Sequence, residues 1–128
     1  MSSDERRAIE ARAMEKAREW LISNGHTVKD VSATASYDFE AQGSSGVVKV
    51  EVKGTTSSDY SEIFMTKNEV DLHREEHGTT GIIIVSQITL QKVDGKATAE
   101  GGAVFAAIGW DINLWNITPM AYRLSKKP

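Results

Sequence analysis

Asp38, Glu51 and Lys53 stand in a pattern that can do chemistry together. Tyr37-Asp38-Phe39-Glu40 is followed by a turn and then by Val47 to Lys53, ending Glu51-Val52-Lys53-Gly54. An Asp on one strand, with Glu-x-Lys at the end of the next, can hold a divalent metal beside a lysine. Side chains two apart on a strand share a face. Lys49, Glu51 and Lys53 therefore point one way and Val48, Val50 and Val52 the other, while Asp38 and Glu40 oppose Tyr37, Phe39 and Ala41. Paired as a hairpin, these strands put an apolar face on a core and leave a charged face carrying Asp38, Glu51 and Lys53. Mg2+ (or Mn2+) takes oxygen ligands and keeps several waters, so one or two carboxylates and a substrate phosphate suffice. Asp38 and Glu51 offer the carboxylates, and the backbone carbonyl of Val52 offers a third oxygen. An ion so held polarises a phosphodiester and helps ionise an attacking water. Lys53 is placed to orient that water or to stabilise the developing negative charge. The same alternation also arises on any half-exposed strand with a solvated face.

The elements that must position these residues can be read in order. Ser2-x-x-Glu5 has capping-box spacing and opens a helix running to about Asn24, with Gly25 as a left-handed terminator. At roughly 100° per residue, Ile9, Ala13, Met14, Ala17, Trp20 and Leu21 span one apolar sector, with Glu10 in its middle and Glu15 and Glu19 opposite. A carboxylate facing inward is costly unless paired or bound to a metal. Glu10 therefore either pairs with Arg6, one turn earlier and also inward, or reaches the charged hairpin face to bind a second metal or a water.

A short strand is expected at Thr27–Ser32, a loop at Ala33–Ser36, and the central hairpin at Tyr37–Gln42 and Val47–Lys53 around Gly43-Ser44-Ser45-Gly46. Gly54–Asp59 is a polar loop and Glu62–Met65 a further short strand. Thr66-x-x-Glu69 is a second capping box, starting a helix from Lys67 to about His77 with Gly78 after it. Ile82-Ile83-Ile84-Val85 reads as a strand buried on both faces. Ile88–Val93, Asp94-Gly95 and Lys96–Thr98 suggest a hairpin, Gly101-Gly102 a chain break, and Val104–Ile108 another strand. Trp110, Leu114, Trp115 and Ile117 lie in an irregular segment over the core. Pro119 and Tyr122-Arg123-Leu124 close the domain, and Ser125–Pro128 is a frayed tail. This order predicts an α/β or α+β fold, a mixed central sheet flanked by helices, in a single domain over residues 1–128.

At 128 residues, 40% hydrophobic and 26% charged, the chain fits a soluble globular domain with a sizeable core. Its net charge of −3 gives no general attraction for nucleic acid, although Arg6, Arg7, Arg12, Lys16 and Arg18 cluster near the start. Without cysteine there is no disulfide framework and no thiolate chemistry. No apolar run is long enough for a membrane span, and the first residues do not resemble a secretion signal, so the cytoplasm is the expected location. His73 and His77, four apart on one helix, can bind Zn2+ but are more simply surface residues.

Taken together, the helix with Glu10, Asp-Val-Ser-Ala-Thr at 30–34, Ser-Tyr-Asp at 36–38, Val-Glu-Val-Lys-Gly-Thr-Thr at 50–56 and Thr-x-Asn-Glu-Val at 66–70 resemble the NO VEIN C-terminal domain family. That family looks like a branch of the PD-(D/E)XK, or restriction-endonuclease-like, superfamily. The similarity covers most of the chain, from about Ile9 to Val85, and continues more weakly to Leu124. It implies a restriction-endonuclease-like core and a Mg2+-dependent endonuclease acting on DNA, in a restriction or defence setting that includes a larger assembly. By the same resemblance Asp38, Glu51 and Lys53 take the metal-ligand and lysine roles, Glu10 takes the helical acidic position, and Asn68 and Glu69 border the site. Glu69 is also explained locally, as the capping-box residue. No Pro precedes Asp38, and no separate DNA-reading module is recognisable. Two other classes of function stay open at this point. One is a catalytically inactive nucleic-acid-binding or protein-interaction module on the same fold, which the negative charge favours. The other is a homodimeric interaction domain using aromatics near Trp110 and Trp115.

Overall fold

The structure, a computed structural model, describes residues 1–128. Helix α1 (Ser3–Ser23) begins at its capping box: Ser2 Oγ accepts the Glu5 N–H, and the Glu5 carboxylate accepts the Ser2 N–H. It ends before Gly25, whose φ of +86° favours glycine. Ile9, Ala13, Ala17 and Leu21, spaced by four, form its buried stripe. No helix is long and apolar enough to cross a membrane.

Five strands follow: β1 (Thr27–Asp30), β2 (Phe39–Gly43), β3 (Gly46–Gly54), β4 (Thr80–Val93) and β5 (Lys96–Ile108). They lie side by side in chain order. β1, β2 and β3 form an antiparallel meander, β4 runs parallel to β3, and β5 returns antiparallel to β4. A parallel pair needs a long crossover. Residues 55–79 supply it and contain α2 (Lys67–Glu75). A 3-10 turn at Ile112–Leu114 completes the elements. The fold is thus mixed α+β, with one five-stranded mixed sheet and two helices.

Both faces of the sheet are covered. The α1 stripe packs on Phe39, Ala41, Val50, Ile83, Val85 and Ile88. On the other face Ile82 and Ile84 pack with Trp110 and Ile112, and Tyr60, Ile63, Met65 and Val70 lean on them. Ile82 to Val85 are thereby buried on both sides, each contributing roughly 1.5–3 kcal/mol by leaving water.

Register decides where the charged side of β3 goes. Glu51 lies opposite Ile82 and Lys53 opposite Ile84, so both share the face on which Ile82 and Ile84 are covered. Two ion pairs pin α2 across it: Lys49 to Glu76 at 2.8 Å, and Lys53 to Glu69 at 3.0 Å. Earlier on the strand meets later on the helix, so α2 runs antiparallel to β3. The charged hairpin face is therefore roofed rather than solvated.

Several expectations change. Glu62–Met65 forms no strand. Ile63 and Met65 are half-buried and alternate with exposed neighbours, but they pack on the cluster of Ile82 and Ile84 from the crossover and pair with no strand. β4 and β5 are one long hairpin turning at Asp94-Gly95, both with positive φ, as a type I′ turn requires. Gly101 and Gly102 do not break the chain. They keep β5 continuous at positive φ opposite Gln87, where the ladder is interrupted. There the Gln87 N–H turns to the Ser57 carbonyl instead. Tyr122 and Leu124 are exposed and do not close the domain.

His73 is not a surface residue. It is fully buried, and its Nδ1 accepts the Trp110 Nε1–H at 2.8 Å. His77 is exposed and pairs instead with Asp111, so the two histidines make no common site. Burial holds the His73 pKa below its ordinary value.

Gly54 marks where α1 comes closest to β3. A Cβ there would stand 2.8 Å from Ala13 Cβ and 3.2 Å from Ile9 Cγ2. Gly54→Ala must therefore displace α1, and a loss of about 1–3 kcal/mol is expected for such overpacking, measured as a lowered denaturant midpoint. An unchanged midpoint would mean that the helix–strand contact is looser than described.

Candidate active site

The site forms where β2 and β3 part. Their pairing runs from Gly43–Gly46 to Phe39–Val50. Beyond Val50, β3 continues for four residues without β2. Asp38, the residue before β2, takes over at this fork. Its N–H donates to the Val50 carbonyl at 3.0 Å, and its own carbonyl accepts the Val31 N–H. Its carboxylate then accepts the next free donor of β3, the Val52 N–H, at 2.8 Å. Asp38 is thus fixed through backbone and side chain together, which is the kind of preorganisation a reactive site needs.

Glu51 projects beside it and is 4% exposed. Lys53 Nζ is 3.6 Å from Glu51 Oε1, and Glu51 Oε2 has no hydrogen-bond partner. Burial first, and the neighbouring Asp38 charge second, push the Glu51 pKa up to about 9, against a partial opposing pull from Lys53. As a carboxylate, Glu51 lacks a donor for its second oxygen. The neutral acid avoids both the burial of a charge and its repulsion by Asp38.

These groups open into a cleft of about 400 Å³ lined by Glu10, Ser32, Asp38, Glu51, Lys53 and Glu69, among others. A neighbouring hollow of about 250 Å³ shares Asp38, Glu51 and Glu69 and adds Tyr37 and Asn68. All of the residues expected at the site therefore reach one region: Glu10, Asp38, Glu51, Lys53, Asn68 and Glu69. Val52 joins it through its N–H.

Glu10 differs from expectation in its setting. It is exposed on α1, and neither it nor the exposed Arg6 is in an ion pair. The helix buries a narrow stripe of every fourth residue, which places Glu10 on the cleft-facing shoulder rather than in the core. No three His, Cys, Asp or Glu side chains are gathered into a ready-made cation cage.

Two features were not visible in the sequence. Glu69 was legible as a helix cap, but its bond to Lys53 spans 16 residues and has no local signature. Ser32 lines the cleft beside the Val31–Asp38 bond, which alternation alone does not reveal.

The fold and the site together define a mixed α+β domain with an acidic, lysine-bearing cleft at a fork in its sheet. The chain belongs to the family described as Protein NO VEIN, C-terminal, whose model matches residues 9–99. That span runs from α1 through the β4–β5 turn and contains every residue of the cleft named above. No curated protein and no solved structure matches the chain.

The raised Glu51 pKa makes stability depend on pH. Unfolded, the carboxyl ionises near 4.5; folded, it keeps its proton to about 9. Its contribution is complete below the lower value and is lost as pH rises toward the upper one. Glu51→Gln mimics the neutral acid, so its Tm should gain on the wild type steadily between pH 5 and pH 9 in metal-free buffer. A constant difference across that range would show that Glu51 is ionised in the fold.

Proposed function

We propose that this chain is a Mg2+-dependent endonuclease that hydrolyses DNA phosphodiester bonds, with Mn2+ as an alternative ion, on a restriction-endonuclease-like core. The observation that carries this reading is a buried Glu51, one oxygen unpartnered, that lines the same cleft as the backbone-locked Asp38. Two carboxyls held together this way cannot both ionise cheaply. A divalent cation would offset both the burial of Glu51 and its repulsion by Asp38, so the donor set fits a hard, oxygen-seeking ion. Two carboxylates suffice for Mg2+, which keeps waters and takes the rest of its shell from phosphate. The chemistry supplied by the bound ion is polarisation of the phosphoryl group and a more acidic attacking water.

The chain's own residues do the rest. Asp38 is locked by its bond to Val52 and would have one oxygen left for an ion. Glu51 would have to lose its proton to become the second ligand. Lys53, poised at the Glu51 carboxylate, faces the charge that develops on the phosphate. Glu10, exposed on the opposite wall of the cleft, is positioned for a second ion or a water. The element order also favours the reading: a helix, an antiparallel meander, a crossover helix and a parallel strand place the acidic pair at the meander's open end. The restriction or defence setting, and any larger assembly, are carried by family resemblance.

A second reading is a non-cleaving module that binds nucleic acid or protein through the same cleft, and the net charge of −3 makes protein the better fit of the two. Plasmid cleavage in Mg2+ separates the two. Asp38→Asn, Glu51→Gln and Lys53→Met should each lower the cleavage rate by ~100-fold or more with unchanged circular dichroism. Full activity in any one of the three removes the proposed mechanism, and an inactive wild type favours the binding module.

A further inference from the structure

Glu69 does two things with one oxygen. Its Oε1 accepts the Thr66 N–H at 3.0 Å, closing the capping box of α2, and also accepts Lys53 Nζ at 3.0 Å. The same ammonium stands 3.6 Å from Glu51 Oε1. Lys53 is therefore held between a buried carboxyl of the cleft and a carboxylate that the helix needs for its first turn.

A lysine ammonium sits on a flexible four-carbon stem, so its position is set by its partners. Here the partner cannot swing freely. The Glu69 carboxylate is fixed by the Thr66 backbone N–H, a donor that any residue but proline supplies at that position. The Lys49–Glu76 pair at the far end of α2 holds the helix in register along β3. The Glu69 side chain is 18% exposed and that of Lys53 24%, so the pair is partly shielded from water, where charge interactions are stronger than on an open surface.

We propose that Glu69 is the positioning residue for Lys53, setting its ammonium beside Glu51 through the cap of α2. The catalytic consequence, a higher turnover without contact to substrate, rests on the nuclease reading above. The placement of Lys53 does not.

Two variants separate this role from plain capping. Glu69→Gln keeps the capping acceptor, since Gln serves in the box as Glu does, but removes the charge facing Lys53. Thr66→Ala weakens the same box and leaves the carboxylate intact. The readouts on the full chain are Tm, the NMR signal of the Lys53 ammonium, and kcat and KM for Mg2+-dependent plasmid cleavage.

In Glu69→Gln, Tm should stay close to wild type and the Lys53 signal should shift or vanish. Turnover should fall by about tenfold or more, the size of one lost charge-assisted contact, with KM little changed. In Thr66→Ala, Tm should fall while the Lys53 signal stays in place. A Lys53 signal unmoved in Glu69→Gln, or moved equally in Thr66→Ala, overturns the proposal. So does unchanged turnover in a wild type that cleaves. If the wild type does not cleave but the signal moves only in Glu69→Gln, the positioning is supported and the nuclease reading is what fails.

Discussion

The cleft exists because β2 stops pairing with β3 at Val50, and the Asp38 carboxylate takes the next donor, the Val52 N–H. A strand end inside a sheet leaves backbone groups without partners, and burying them unpaired is costly. Here a side chain closes the ladder where a strand would otherwise continue. The result is a gap in the sheet with a fixed carboxylate at its apex. Glu51, one residue before the donor, is thereby brought beside Asp38. Burial is the main cause of the raised pKa of Glu51, and the Asp38 charge placed beside it by this substitution of side chain for strand adds to it.

The second constraint is the roof. β3 alternates charge and valine, and its valine side is claimed by α1. The charged side falls under the crossover because β4 lies parallel to β3. That crossover must return along the sheet, and its helix meets Lys49 and Lys53 with Glu76 and Glu69. The same helix buries His73 against Trp110. Glu51 is the charged-side residue between the two lysines, and it finds no hydrogen-bond donor for its Oε2. A buried carboxyl left this way is a poor stabiliser of the fold.

Much of this was legible in the residues. The two capping boxes mark the starts of both helices, and the β-branched run at Ile82–Val85 marks the strand buried on both faces. Asp38, Glu51 and Lys53 stand out through strand alternation and meet in the cleft. What was not legible is tertiary. Glu62–Met65 has a strand's alternation, but its half-buried side chains cover Ile82 and Ile84 from the crossover instead of pairing with a strand, which local pattern does not encode. Gly101-Gly102 reads as a break because glycine pairs usually end strands. Their positive φ here lets β5 continue past an interrupted ladder facing Gln87. His73 looks polar and exposed on its helix, and only the arrival of Trp110 from beyond β5 makes it a core residue. A helical wheel places Glu10 inward because it treats the apolar sector as uniformly buried. A stripe of every fourth residue is narrower than that, and it leaves Glu10 at the edge, facing the cleft.

In the proposed function, Asp38 and Glu51 form a cation site whose proton must leave before the ion can enter. Calorimetric titration of Mn2+ at pH 7, repeated in buffers of different ionisation enthalpy, tests it directly, since ligand deprotonation is linked to metal binding. Saturable binding with release of about one proton per ion is expected, both lost in the Asp38→Asn/Glu51→Gln double variant. Binding without proton release, or no binding in the wild type, would contradict it.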